Sequence, residues 1–134
     1  MAAGLPETVE GMRLIRRESA AAWRARLLSV EALRLPPETA DAEPAFLRFP
    51  VLAATEAARE SAVVALAGAG FGFVRSYPGA LNGIPEFAGT VVAGAPTPGA
   101  ASLATCLVAL PCHVGVAPRD VDRAVAAWQA ATIR

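Results

Sequence analysis

The chain has 134 residues, 54% of them hydrophobic, a mean hydropathy of +0.43, twelve acidic and twelve basic residues and a single histidine. That length suits one domain with a core of its own, and no uninterrupted apolar run approaches the roughly 20 residues of a membrane-spanning helix. Zero net charge and a pI near 6.6 argue against nucleic-acid binding, and the glutamates and arginines of the opening MAAGLPETVEGMRLIRRE do not fit a signal peptide.

In chain order, residues 7–32 predict one long helix, with Val9, Met12, Ile15, Trp23, Leu27 and Val30 on one broad apolar face. Arg16 and Arg26 intrude on that face. Arg13, Arg17 and Arg24 fall on one strip, which reads either as a solvated face or as a surface for an anionic partner. Pro36 and Pro37 end the helix, and the acidic, proline-bearing stretch to Pro44 is a loop. AFLRFPVLA is a strand, with Pro50 at an edge or bulge. Thr55 is the expected N-cap of a helix over 56–67, with Val63, Leu66 and Ala67 inward, stopped by Gly68 and Gly70.

Residues 71–77, FGFVRSY, predict a second strand. The stretch from Pro78 to Pro98 holds four glycines and repeated prolines, the composition of a functional or partner-facing loop. A short helix over 98–105 leads into a strand at 107–110. A final helix opens near Pro118 with Val121, Val125 and Trp128 on one face. This order predicts an α+β fold of two layers, a small and mostly antiparallel sheet with helices on one face. We divide the single domain, residues 1–134, into a leading helix at 7–32 and a sheet-and-helix core at 44–134.

Several chemistries do not fit the spacing. Cys106 and Cys112, in a chain without an export signal, read as reduced packing thiols. Adjacent residues in an extended segment point opposite ways, so Cys112 and His113 do not form a catalytic pair. One histidine and two cysteines match no zinc pattern. GAGFG, residues 68–72, lacks the downstream lysine of a phosphate loop and precedes a strand.

The tail LVALPCHVGVAPRDVDRAVAAW, residues 107–128, resembles the C-terminus of the DegT/DnrJ/EryC1/StrS family of sugar aminotransferases, where a strand, a Leu-Pro-x-His type turn and a last helix close a small domain. GMRLIRRESAAAWRARL resembles the helix that leaves the large domain of these enzymes. FLRFPVLA and ARESAVVALAGAGFGFVRSYPGAL are similar to the family's core strand, its following helix and the strand ending in a Tyr-Pro turn. The resemblance implies the small domain of a fold type I enzyme, with pyridoxal phosphate (PLP) as the family cofactor and nucleotide-sugars of polysaccharide biosynthesis as substrates. It places the segment from Arg75 through Tyr77 to Asn82 against the substrate cleft, with His113 in the turn after the last strand, while the lack of a signal-peptide pattern at the N-terminus leads to the expectation of a cytoplasmic setting. Arg75 then pairs with phosphate or carboxylate and Tyr77 stacks on or bonds to a ring. Alternatively Arg75 faces solvent, Tyr77 is a half-buried strand-end aromatic, and His113 is a structural hydrogen-bonding residue. The family often has a histidine after the Tyr-Pro turn, where this chain has Leu81-Asn82.

All twelve basic residues are arginine. With no lysine, the chain has no side-chain amine for the PLP aldimine of such enzymes, so no cofactor is expected on this chain alone. Two functions follow as expectations. One is a stand-alone or truncated small domain that completes a transaminase with a PLP-binding large-domain partner. The other is a non-enzymatic module for ligand binding or homo-oligomerisation, in which the first helix and the 78–98 loop supply the uncovered surface.

Overall fold

A computed structural model describes residues 5–37, 39–72, 74–75, 77–87, 90 and 96–132, with the side chains of 5–7, 74–75 and 132 outside the description. Helix α1 spans Leu5–Leu27. It stops five residues short of the expected end because Leu33–Arg34 form a strand, β1, instead. The Ser29 hydroxyl donates to the Arg26 carbonyl at 3.2 Å, and the Val30 and Leu33 amides close turns on Leu27 and Val30. Such local bonds offer the backbone an alternative to the helix ladder.

Strand β2, Arg48–Ala53, is central. Its Phe49, Val51 and Ala53 are buried while Pro50 and Leu52 between them are half-buried, the period-2 pattern of a strand with one face on a core. β1 pairs with only Leu52 and Ala53. The far side of β2 is therefore open at Pro50, where a missing N–H costs no ladder bond.

Thr55 caps helix α2, Glu56–Gly68, by accepting from the Ala58 amide at 3.1 Å. Gly70, at φ 81, ends it: its amide reaches Ala67 O and the Phe71 amide reaches Leu66 O, the paired bonds of a Schellman stop that needs a left-handed residue. Val63 and Leu66 face inward as expected. Ala67 does not; it is exposed, and Arg59 and Ala62 take the inward face with them.

Of the expected strand at 71–77, Val74–Arg75 form β3, Phe71 is committed to the α2 stop, and residues 73 and 76 lie outside the described residues. Two 3-10 turns, Leu81–Gly83 and Pro85–Phe87, follow. Helix α3, Pro98–Cys106, feeds β4, Leu107–Pro111, and α4 spans Pro118–Thr132. The sheet order is β1-β2-β4-β3, antiparallel throughout. This is the expected α+β architecture with one more strand, β1, than the sequence disclosed.

Phe49 lies opposite Leu110 and Val51 opposite Val108, and these four side chains meet Trp23 and Leu27 of α1, Leu66 of α2, and Val121, Val125 and Trp128 of α4 in one core. The leading helix thus shares the core of the rest. Its first turns do not: Val9, Met12 and Leu14 are exposed and Ile15 is half-buried. None of the described helices is long and apolar enough to cross a membrane.

Candidate functional site

β3 hangs on the outer side of β4 with Val74 opposite Ala109 and Arg75 opposite Val108. Because the strands are antiparallel, the chain beyond Arg75 runs toward the start of β4. Tyr77 is 57% exposed, and Pro78 and Gly79 turn the chain into the 3-10 segment, where Asn82 is exposed as well. The Gly83 amide closes on Ala80 O at 2.8 Å, and the Thr90 hydroxyl ties off the second turn through Phe87 O at 2.8 Å. Leu81 and Phe87 also project outward. This loop therefore leaves a tyrosine, a leucine, a phenylalanine and the amide of Asn82 exposed within eleven residues of chain. The side chain of Arg75 lies outside the described residues.

His113 follows the other end of β4. Five residues separate it from Val108, about 16 Å along an extended strand. The structure brings Tyr77 and Asn82 into one loop but leaves His113 at the opposite end of the sheet. Its Nδ1 accepts from the Gly115 amide at 3.1 Å and its carbonyl from the Val116 amide at 2.9 Å. A Cβ on residue 115 would sit 3.1 Å from the imidazole, so a larger residue there would have to displace the ring by a few tenths of an ångström. The imidazole is thus occupied in holding the turn between β4 and α4, and Nε2 is its remaining polar atom.

Cys112 faces the other way. Its residue is 1% exposed and lies in the core, and both cysteines are free thiols. Burial pushes the Cys112 thiol up from 9.0 to about 11, against the opposing pull of the Phe49 backbone and of Arg16 and Arg48. A thiol held protonated is a poor nucleophile. The raised value also makes stability depend on alkali: the contribution is complete below the ordinary value of 9.0 and is lost as pH rises toward 11, at most about 3 kcal/mol from a two-unit shift. Ellman's reagent at pH 8 should therefore leave both thiols of the folded chain unmodified and titrate both in denaturant. Rapid labelling of Cys112 in the native state would refute the buried placement.

The arginine strip on α1 meets the chain's own loop. Arg13 Nη1 lies 2.6 Å and Arg17 Nη1 3.1 Å from Glu43 Oε2, while Arg13 also holds Glu10 at 2.7 Å. Arg24 donates to Pro36 O at 2.8 Å and lies 5.6 Å above the Phe49 ring. Between helix and loop is a groove of about 740 Å³. The sequence signal for this arrangement was present in the charge complement between Arg13, Arg17 and Arg24 and the acidic stretch after Pro37. The Arg13 guanidinium holds both Glu10 and Glu43 below the usual carboxylate range, with Arg17 assisting at Glu43. These carboxylates are depressed, so the network persists above the ordinary glutamate range and is lost as pH falls through and below it. Amide shifts at Ala42 and Arg17 should move together over that acid range and weaken with added salt.

A family model for the DegT/DnrJ/EryC1/StrS aminotransferase family matches residues 5–129. A search of curated protein sequences finds no significant match. Among solved structures, the aminotransferase TlmJ from Streptoalloteichus hindustanus is similar at TM-score 0.74 and 22% identity over 90% of this chain and 32% of its own. DesV from S. venezuelae, solved in complex with a ketimine intermediate, is similar at 0.73 and 23% over 87% and 31%. The sugar aminotransferase CalS13 from Micromonospora echinospora is similar at 0.72 and 18% over 92% and 32%. The chain spans about a third of the length of these structures.

Proposed function

This chain belongs to the DegT/DnrJ/EryC1/StrS aminotransferase family, and on that premise we propose that it is the small domain of a sugar aminotransferase, contributing substrate-side surface to a PLP site completed by a lysine-bearing large domain. The observation that carries the reading is one of extent. The match runs through nearly all of this chain yet covers about a third of each solved relative, and the 134 residues contain no lysine. The residues present therefore do not fit covalent PLP: the imine-forming amine that activates a substrate in such chemistry must come from elsewhere.

The small domain's share of the work is binding and orientation. The Tyr77–Phe87 loop, with its exposed tyrosine, leucine and phenylalanine and with Asn82, is the surface we assign to the nucleotide-sugar side of the cleft. Arg75 leads into it from β3 and supplies a planar cation for phosphate. His113, fixed by its own turn, is assigned to the small domain's frame. A second reading, a module that associates with copies of itself, draws on the exposed Val9, Met12 and Leu14 of α1, since uncovered apolar surface favours association.

The spectrum of PLP distinguishes a small domain from an enzyme. The purified chain is expected to leave the absorbance of added PLP unchanged. A saturable aldimine band at one equivalent that persists after the α-amino group is blocked would overturn the proposal, because the sequence has no lysine to form it.

A further inference from the structure

Asn82 is the only asparagine in the chain, and the residue after it is glycine. An asparagine side chain lies within reach of the next residue's backbone nitrogen, and attack by that nitrogen on the side-chain carbonyl closes a five-membered ring. A following glycine leaves the nitrogen least crowded, because no Cβ stands beside it. In a folded chain the attack also requires a backbone free to turn and a nitrogen released from its hydrogen bond.

The surroundings of Asn82 restrain it weakly. It lies in the 3-10 turn Leu81–Gly83, whose three residues are all exposed. The turn has no buried residue and no side-chain cap. The Gly83 amide is held by the Ala80 carbonyl at 2.8 Å, and the next bond, from the Ile84 amide to Leu81 O, is a long 3.4 Å. Turns of this type have poorer hydrogen-bond geometry than the α-helix, and exposed backbone bonds with few buried apolar contacts open at little cost. Gly83 is not needed there for its conformational freedom. Its φ is not positive and a Cβ would meet nothing within 4 Å, so alanine would fit in its place.

We propose that Asn82 is a site of spontaneous deamidation, gated by the opening of this turn. Once the Gly83 amide leaves Ala80 O and gives its proton to base, the nitrogen attacks Asn82 Cγ. The new N–C bond forms as the bond from Cγ to the side-chain nitrogen breaks, and that nitrogen takes up a proton and departs as ammonia. Water then opens the cyclic imide at either carbonyl, leaving aspartate or isoaspartate at position 82. Water is the only co-reactant, and nothing is oxidised or reduced. Either product puts a carboxylate where a neutral amide stood, and isoaspartate adds a methylene to the main chain. If the proposed function holds, that charge falls in the loop assigned to the nucleotide-sugar side and repels an anionic ligand. The site itself rests on the chemistry of the turn and stands without that assignment.

The test is intact mass and peptide mapping of the purified full chain during incubation at pH 8 and physiological temperature, beside a sample in denaturing urea. The native chain should gain one dalton, with the gain confined to the peptide that carries Asn82, and isoaspartyl methyltransferase should label the product. The denatured chain should convert faster, because its turn is always open. Gly83→Ala, shown to be folded by circular dichroism, should convert about tenfold more slowly or worse, since a Cβ crowds the attacking nitrogen. A native chain unchanged while the denatured chain converts, equal rates in the two, or no gain in either would each overturn the proposal. So would a gain that maps to Gln129, the only other side-chain amide, or a Gly83→Ala chain that converts as fast as the parent.

Discussion

Replacing Trp23 with alanine is expected to cost about 4–5 kcal/mol, the upper part of the range for removing a large aromatic from a core. Trp23 is 0% exposed and belongs to the cluster that joins α1 to β2, β4 and α4. Its indole nitrogen also donates to the Pro111 carbonyl at 2.9 Å, which ties the helix to the last residue of β4. The alanine variant therefore loses both a large packed volume and the partner of a buried carbonyl. Against a total stability on the order of 5–15 kcal/mol for a domain, a loss of that size leaves the fold marginal. Trp23→Phe separates the two contributions: it keeps most of the ring and loses the bond, and should cost about 1–3 kcal/mol. Urea denaturation monitored by circular dichroism measures both. A Trp23→Ala midpoint close to that of the parent would contradict the placement of α1 in the core.

Arg59 carries the second large effect. This arginine is 7% exposed and donates through Nη1 to the Ala104 carbonyl at 3.0 Å. Its Nη2 lies 2.8 Å from Glu60 and 3.6 Å from Glu56. The acceptor at Ala104 belongs to the last turn of α3, where carbonyls lack helical partners and favour a cation. Arg59→Ala is expected to cost about 2–3 kcal/mol. The buried carbonyl left unsatisfied accounts for about 1–3 kcal/mol, and the lost packing of the arginine stem adds to it. The loss stays below the 3–5 kcal/mol of a broken, fully buried ion pair, because Glu60 and Glu56 retain 38% and 64% side-chain exposure and can turn to water. Arg59→Lys should recover only part of the loss, since a single ammonium lacks the planar fork that serves Ala104 and Glu60 together. Hydrogen exchange should rise first in α3. An α3 that stays as protected in Arg59→Ala as in the parent would refute the role.

The elements legible from sequence were those with a local signature. Thr55 before a helical pattern, Gly70 after it, and Val121, Val125 and Trp128 at helical spacing each state their role within a few residues, and the structure places them accordingly. β1 had no such signature. Two residues, Leu33 and Arg34, are a strand only because the end of β2 offers Leu52 and Ala53 to pair with, a contact that nothing within their own stretch announces. Ala67 was misplaced for a related reason. A burial pattern read from hydrophobicity favours alanine over arginine, whereas the acceptors at Ala104, Glu60 and Glu56 turn Arg59 inward.

The candidate site was legible only in part. Tyr77 and Asn82 do share a loop, but the separation of His113 follows from the antiparallel register of β3 on β4, which a linear reading of motif order does not contain. The α1 arginines were visible as a strip, and their partner was visible as an acidic loop. That they face one another depends on the path of the chain through Pro36 and Pro37. The exposed Val9 and Met12, with the half-buried Ile15, have the apolar spacing of a buried face. Their exposure in a chain that spans a third of its solved relatives accords with a surface that a larger assembly would cover.

Under the proposed function, these 134 residues supply the substrate-side domain of a transaminase and no lysine amine. The direct measurement is amino transfer to a keto-sugar nucleotide by the chain alone, by a lysine-bearing large domain of this family alone, and by the two together in the presence of PLP. No turnover is expected from the chain alone, and turnover from the pair should lie well above that of the large domain alone. Turnover by the isolated chain, or a cognate large domain whose rate is unaffected by adding it, would contradict the proposed function.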